Sequence, residues 1–341
     1  MDEKIEEYMS YPLGIFVALI VFSIILLLLG FNPLLSLAAI PMGAFGTAFS
    51  ASETFIRFIP LLLTSLAFLV AFKARFLNIG TEGQLYIGAL TSYLVGAQMD
   101  GVPFIIAIPL IMGAAFLGGV AWLAIPILLR TKLEINEIFP TVVMNFIAMF
   151  MLSWLCAGPL KEPGAFNNRT PFLPESTWLL TIFPGLRIHV GIFVVVGLAI
   201  LVYLILFKTT LGYKIRAVGQ NPQAAKHGGI SVTKGIVSAG MLSGGLAGLA
   251  GMMEIFGTHH FLLAGFSPGF GFQGIAVAAL GNFHPIGAII SSFFFAVLQI
   301  GGESMQRIAQ VPVDMIFVLQ AVLVLSVLIV QKWVTMRRES K

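Results

Sequence analysis

A chain of 341 residues that is 58% hydrophobic and only 10% charged has too little polar side chain to coat a globule, and a mean hydropathy of +0.98 agrees in excluding a soluble protein. The net charge of +4 comes from 19 Lys and Arg scattered between apolar blocks, which argues for basic loops flanking membrane spans and against a nucleic-acid surface. A single cysteine, Cys156, excludes an internal disulfide and any cysteine-based metal cluster, and reads as a small packing residue.

An acidic head with Asp2, Glu3, Glu6 and Glu7 precedes the first apolar run, Gly14 to Gly30. A secretory leader wants a basic head and a small-residue cleavage site, so this run is expected to be a retained span. Apolar blocks between Gly, Pro and charge breaks predict about ten transmembrane helices, near 12–30, 57–73, 79–97, 103–129, 138–157, 188–207, 235–256, 263–281, 285–301 and 313–331. The expected fold class is an all-α integral membrane protein with broken or re-entrant segments, one transmembrane domain over residues 1–341. The block 34–49 is short and interrupted by Pro41 and Gly43, so it reads as re-entrant or interfacial; if it crosses, the N-terminus moves outside.

With both termini cytoplasmic, fourteen of the 19 basic residues lie inside: Lys4, Lys73, Arg75, Arg130, Lys132, Lys208, Lys214, Arg216, Lys226, Lys234, Lys332, Arg337, Arg338 and Lys341. The other five, Arg57, Lys161, Arg169, Arg187 and Arg307, lie outside. This bias places the segment 208–234 in the cytoplasm and the loop 158–187 outside. The outer loop carries Pro159, Pro163, Pro171, Pro174 and Pro184, and reads either as a docking surface for a soluble partner or as a solvated connector.

Acidic side chains within spans are costly and need partners, water or a functional reason. Glu82 sits in Gly80-Thr81-Glu82-Gly83-Gln84, where a broken helix lining a water-filled path explains the pattern. A plain helix start, with Glu82 favoured by the helix N-terminus, explains it too. Glu254, at the far end of the seventh span, is a path residue or faces outer water. Asn145 and Gln273 either bind a polar solute or bond helix to helix, the commoner role. Asn136-Glu137-x-x-Pro140-Thr141 reads as a polar helix start.

Adjacent His259 and His260 diverge by about 100° on a helix, which argues against shared metal ligation, so no metal site is expected. Gly240, Gly244 and Gly248 recur every fourth residue and predict close helix packing. Gly269-x-Gly271-x-x-Gly274 has no strand before it, so it reads as a broken span start rather than a dinucleotide fingerprint. No G-x-x-x-x-G-K-[ST] occurs, so no P-loop is available for ATP.

The segment 208–234 is a polar, basic island. Within it Asn221 suits a helix N-cap, Pro222 the first helical position, and Gly228 a left-handed residue just past the end, which predicts one short bounded helix. The string Gly212-Tyr213-Lys214-Ile215-Arg216-Ala217-Val218-Gly219-Gln220-Asn221-Pro222-x-Ala224-Ala225 resembles the cytoplasmic coupling loop of ABC importer permeases of the branched-chain amino acid, ribose and nucleoside group. Leu77-Asn78-Ile79-Gly80-Thr81-Glu82-Gly83-Gln84 resembles the FNIGxEGQ segment of the nucleoside and simple-sugar branch, with Leu77 where Phe is usual. Gly228-Gly229 stands where an aromatic-Ala-Gly ending is common.

The resemblance implies the ABC importer permease fold and a non-enzymatic permease subunit in a bacterial cell membrane. It implies ATPase coupling through Gly212, Lys214, Arg216, Asn221, Pro222, Ala224 and Ala225. Polarity within apolar spans, independently of the resemblance, makes Asn78, Glu82, Gln84, Asn145, Glu254 and Gln273 candidates for the translocation path. The implied partners are a second permease in a heterodimer, a cytoplasmic ATPase that binds the ATP, and a solute-binding lipoprotein outside. This chain itself is expected to hold no cofactor. A nucleoside is the implied solute, with a simple sugar or a branched-chain amino acid as alternatives. A proton- or sodium-coupled carrier, with Glu82 or Glu254 as the coupling carboxylate, is the rival from another class. An intramembrane enzyme would need a catalytic cluster that the sequence lacks.

Overall fold

A computed structural model describes the backbone of residues 2–339 and the side chains of residues 11–336. The side chains of Asp2, Glu3, Lys4, Glu6, Glu7, Arg337, Arg338 and Lys341 lie outside the described residues. The helices in chain order are α1 (Asp2–Leu28), α2 (Pro33–Phe45), α3 (Ala48–Phe72), α4 (Thr81–Gly96), α5 (Phe104–Leu133), α6 (Ile138–Ala157), α7 (Gly191–Lys208), α8 (Thr210–Gln220), α9 (Pro222–His227), α10 (Val232–Glu254), α11 (Phe270–Leu280), α12 (Pro285–Ala309) and α13 (Met315–Glu339). Among the described residues no strand forms, only the isolated bridges Arg169–Leu263 and Thr181–His189.

Eight helices are long and apolar enough to cross a membrane: α1, α3, α5, α6, α7, α10 with the turn that follows it, α12 and α13. The protein is a multi-pass membrane protein, and large apolar side chains such as Ile105, Phe139, Phe150, Trp154 and Phe193 stand exposed along α5, α6 and α7. In lipid those faces are solvated; in water they would be an aggregation surface.

The expected third and eighth spans are helical but short. α4 has 16 residues and α11 has 11, about 24 and 17 Å at the helical rise against a hydrocarbon core of about 30 Å. Non-helical chain precedes each, with Arg75 at φ 58° before α4 and with Gly265 at φ 72° and Gly269 at φ 88° before α11. Of the block 34–49, residues 34–45 lie in α2, whose 13 residues cover about 20 Å and do not span the core, and Ala48 and Phe49 open α3. Asn32 caps α2 by accepting from Leu34 N at 3.0 Å and Leu35 N at 3.2 Å, and Pro33 fills its first position.

The chain divides into two compact units, one of residues 1–57 with 293–341 and one of residues 58–292. In the first, α1 runs against α13, and Phe22, Leu26, Ile40, Leu298, Met305 and Leu319 form the core. In the second, α4, α5 and α10 make a tight three-helix layer. Glycines set its spacing: a Cβ on Gly248 would collide with the Ala115 carbonyl, one on Gly119 with Gly244, and one on Gly88 with Gly248. The four-residue glycine repeat thus does what its spacing predicts.

Candidate functional site

The start of α4 is the most polar buried place among the described residues of the second unit. Asn78, Thr81, Glu82, Gln84, Asn145 and Ser243 are all buried there. Asn78 and Gln84 exchange two side-chain hydrogen bonds of 2.9 Å, and Asn78 Nδ2 also donates to Ser243 Oγ at 2.8 Å. Asn145 on α6 accepts from Gly83 N at 2.7 Å and donates to the Ile79 carbonyl at 2.9 Å. It therefore bonds a helix to the free backbone of a broken one, which satisfies groups that lipid could not.

α11 begins against the same place. Thr81 Oγ1 donates to the Gly271 carbonyl at 2.9 Å, and Gly271 N donates to Glu82 Oε2 at 2.6 Å. Two helix N-termini converge on one carboxylate, and the positive end of each dipole favours it. Only glycine fits at position 271, where a Cβ would collide with the Glu82 backbone. Ser243 is the twelfth of the 23 residues of α10, about 17 Å from its start, so the junction lies close to half-depth in a bilayer of about 30 Å.

Glu82 Oε1 and the Tyr86 hydroxyl, one turn along the same helix face, are buried and make no well-formed hydrogen bond; the nearest polar groups are the Ser267 side chain for Glu82 and the Ser267 backbone for Tyr86. Ser267 lies beside both, and Phe266 leans on the Tyr86 ring with centroids 4.7 Å apart. Two unsatisfied polar atoms and two aromatic rings at mid-depth can receive a polar solute with a flat apolar face. Gln273 sits in the first turn of α11, where Nε2 donates to the Pro268 carbonyl at 3.2 Å. Sequence reading missed Tyr86, Ser243 and Gly271 as members of this junction; the small polar residue inside the Gly-rich run of α10 was the available signal for Ser243.

Glu254 does not join them. It lies eleven residues beyond Ser243 on α10, about 17 Å away along the axis. Nor does it face outer water: it is 3% exposed, with Oε2 3.6 Å from His259 Nε2. α10 there unwinds into a π turn, Ile255–His259, and His260 follows at φ 62° with its ring stacked on Trp178 at 3.8 Å. The loop 158–187 is tied to this turn through backbone bonds from Thr170 N to Leu262 O, Leu173 N to His260 O and Leu179 N to Phe256 O, at 3.0, 2.8 and 3.0 Å. Burial above all pushes the His189 and His260 imidazoles down to about 4, with Glu254 opposing at His189 and with His259 and Arg187 adding to the effect at His260. Among the described residues no group of His, Cys, Asp or Glu is arranged to hold a metal ion.

The second candidate element is the α8–α9 corner. Asn221 caps α9, accepting from Gln223 N and Ala224 N at 3.0 Å each, with Pro222 first in the helix. The end is corrected by one residue: Gly228 has φ −78°, and Gly229, at φ 76°, takes the left-handed position. Ile230 N then bonds the Ala225 carbonyl at 2.9 Å and Gly229 N the Lys226 carbonyl at 3.1 Å, closing a Schellman motif.

Lys214, Asn221, Gln223, Ala224, Lys226 and His227 are exposed, and Pro222 is half-buried. Ala225 is buried, Gly212 is pressed on the Ile205 and Leu206 carbonyls, and Arg216 turns inward over the Phe207 ring at 5.1 Å. Gly212 and Ala225 thus pack the corner from within, and Arg216 is half-buried beside them. Glu137, the polar start of α6, also has a structural partner: Arg130 Nε lies 3.1 Å from its Oε2, and Leu77 N donates to its Oε1 at 3.2 Å.

Residues 50–328 match the family described as branched-chain amino acid transport system / permease component. The guanosine ABC transporter permease protein NupP of Bacillus subtilis (strain 168) is 33% identical over 96% of this chain and 94% of its own length. The glucose ABC transporter permease protein TsgB13 of Haloferax volcanii is 32% identical over 93% of this chain and 86% of its own. NupQ, also a guanosine ABC transporter permease protein of B. subtilis, is 28% identical over 72% of this chain and 79% of its own. No solved structure matches the chain. With its spans, its broken helices and most of its length inside the matched region, the chain belongs to the branched-chain amino acid transport system / permease component family.

Proposed function

We propose that this chain is one permease subunit of an ATP-driven importer of nucleosides. The observation that carries the reading is similarity to NupP, a permease named for guanosine, over nearly all of both chains. The buried junction of α4 and α11 supports it. Half-helix N-termini near mid-depth, free polar atoms on Glu82 and Tyr86, and the Tyr86 and Phe266 rings suit a neutral solute with a flat aromatic base and polar edges. Asn78, Gln84, Asn145 and Gln273 hold that site, and Glu254 belongs to the outer turn.

NupP and NupQ are both guanosine ABC transporter permease proteins of one bacterium, which favours a pair of unlike permeases sharing one path. In this reading the exposed side of α8–α9, through Lys214, Asn221, Pro222 and Ala224, seats on a cytoplasmic ATPase that binds the ATP. Gly212, Arg216 and Ala225 support that surface from beneath. The loop 158–187 receives a solute-binding lipoprotein outside. The chain itself performs no catalysis and holds no cofactor. TsgB13 favours a second reading, a simple sugar as the solute.

The test is uptake of labelled guanosine, uridine, ribose, glucose and leucine by cells lacking this chain and by cells given it back, under ATP depletion and under an ionophore. Nucleoside uptake that returns with the chain, stops without ATP and survives the ionophore is the expected result. Sugar uptake alone moves the substrate class. Loss under the ionophore alone, with ATP intact, makes the protein a gradient-driven carrier.

A further inference from the structure

Beneath the α8–α9 corner, at the ends of α3 and α7, lies a half-open cavity of about 310 Å³ lined by Phe72, Lys73, Phe207, Arg216, Gly219 and Gln220. Its size is at the lower end of small-ligand sites. Its charge is uncompensated: among the described residues neither Lys73 nor Arg216 has a carboxylate within ion-pair distance. Arg216 Nε is buried and has no hydrogen-bond partner. His284 adds a third basic group, its ring 5.1 Å from the Phe207 ring.

These groups oppose one another. Burial first, and the Arg216 guanidinium second, hold the Lys73 ammonium below its ordinary range. Burial and then Lys73 do the same to His284. Keeping basic groups together with a guanidinium nitrogen unsatisfied is costly unless an anion enters, because a buried donor to a charged partner forfeits more than an ordinary hydrogen bond when left unmade. The arrangement is also rigid. A Cβ on Gly219 would collide with the Lys73 carbonyl, so α8 is locked against the end of α3, and Phe72 is stacked on Phe283 at 4.0 Å.

Position selects the anion. Phe72 and Phe207 are at the last turns of spanning helices, the level at which a bilayer changes from acyl chain to phosphate. The walls are aromatic and the polar end is a guanidinium beside an ammonium, the pairing that recognises phosphate oxygens. Leu211 and Tyr213 stand exposed on α8, which suits a helix lying at the interface beside the cavity. We infer that this cavity is a site for the phosphate of an anionic lipid headgroup, a chemistry that inorganic phosphate shares.

The experiment uses the purified full-length protein in a neutral detergent, titrated with short-chain phosphatidylglycerol, short-chain phosphatidylcholine or inorganic phosphate. Thermal midpoint and lipid retention by native mass spectrometry are read together. Phosphatidylglycerol is expected to raise the midpoint and to be retained as a defined stoichiometric adduct, and phosphatidylcholine is not. K73Q/R216Q should weaken phosphatidylglycerol on the order of thirtyfold, and K208Q, which removes an exposed charge outside the cavity, should leave it within about threefold.

Should the double variant not fold, the wild type alone decides: inorganic phosphate must displace the retained phosphatidylglycerol. A rise with inorganic phosphate that phosphatidylglycerol does not match would assign the cavity to a soluble anion and overturn the lipid source. Equal effects of the two lipids, or equal losses in K208Q and K73Q/R216Q, overturn the site. So does a K73Q/R216Q variant that binds phosphatidylglycerol normally and fails only to hold its ATPase, because the cavity would then receive a partner's carboxylate.

Discussion

Glu82 Oε2 and Gly271 N, 189 residues apart in sequence, are 2.6 Å apart in the structure, and this one bond joins the start of α4 to the start of α11. Neither helix is long enough to span the core, so each has a free N-terminal turn in a region without water. The carboxylate satisfies one of those turns and is itself the second residue of the other.

Replacing Glu82 separates the structural half of this role from the rest. Glu82→Gln keeps an acceptor for Gly271 N, so the thermal midpoint should change little, within about 1 kcal/mol. Glu82→Ala removes the acceptor and should cost about 1–3 kcal/mol. Uptake should fall in both, because the unpartnered Oε1 becomes an amide donor in one and vanishes in the other. Wild-type uptake by Glu82→Gln would show that Oε1 does not meet the solute.

The glycines give a sharper comparison, since the same substitution has opposite expected signs at two helical sites. At Gly113 on α5 nothing lies within 4 Å of an added Cβ, so Gly113→Ala should be neutral or stabilising by about 0.5–1 kcal/mol. At Gly248 on α10 the added carbon meets the Ala115 carbonyl, and Gly248→Ala should cost about 1–3 kcal/mol by forcing α10 from α5. Thermal unfolding of the two variants in one detergent decides it; equal midpoints would mean that the α5–α10 contact is looser than described.

Much of this was legible in the sequence, for identifiable reasons. Composition alone requires a membrane solvent, and Asn221, Pro222 and the glycines after His227 together mark a short bounded helix, because cap, ring and left-handed turn act locally. The short α4 and α11 were harder, since hydropathy registers apolar content and not the turn at which a helix breaks. Glu82 stood out as costly, but its partner is 189 residues away and carries only a backbone N–H, so no side chain betrays it. Gly228 and Gly229 are equally able to turn left-handed, and the choice between them follows from the Schellman bonds of Ile230 and Gly229. Glu254 had two sequence readings; its burial removes the one that faces outer water, and its neighbour His259 is brought within 3.6 Å by a π turn no pattern announces.

The α8–α9 corner makes a prediction about which variants act by contact and which by unfolding. Ala224 is exposed and Ala225 is buried. Ala224→Glu should leave the chain folded and weaken its hold on the ATPase, while Ala225→Glu should disrupt the corner itself. Asn221→Ala should sit between them, losing a cap worth about 0.5–2 kcal/mol. Co-purification with the ATPase, beside thermal midpoints, separates the classes; an Ala224→Glu variant that couples ATP hydrolysis to uptake normally would remove this face from the proposed contact.

The π turn after α10 should be sensitive to acid. His189 and His260 have folded-state values of about 4, well below the roughly 6.5 of a free imidazole, because burial disfavours the charged ring. A depressed histidine binds protons more readily unfolded than folded, so its contribution to stability is complete above about 6.5 and is lost as pH falls from there towards about 4. The thermal midpoint should therefore fall across that window. The variant to compare is His260→Asn, since asparagine accepts the φ of 62° at that position without titrating. Its curve should start lower, because the Trp178 stack is gone, and should slope less between pH 6.5 and 4. A slope unchanged from the wild type would mean that His260 is not kept neutral by its surroundings, and the acid response would then have to come from His189 or from the carboxylates of the loop 158–187.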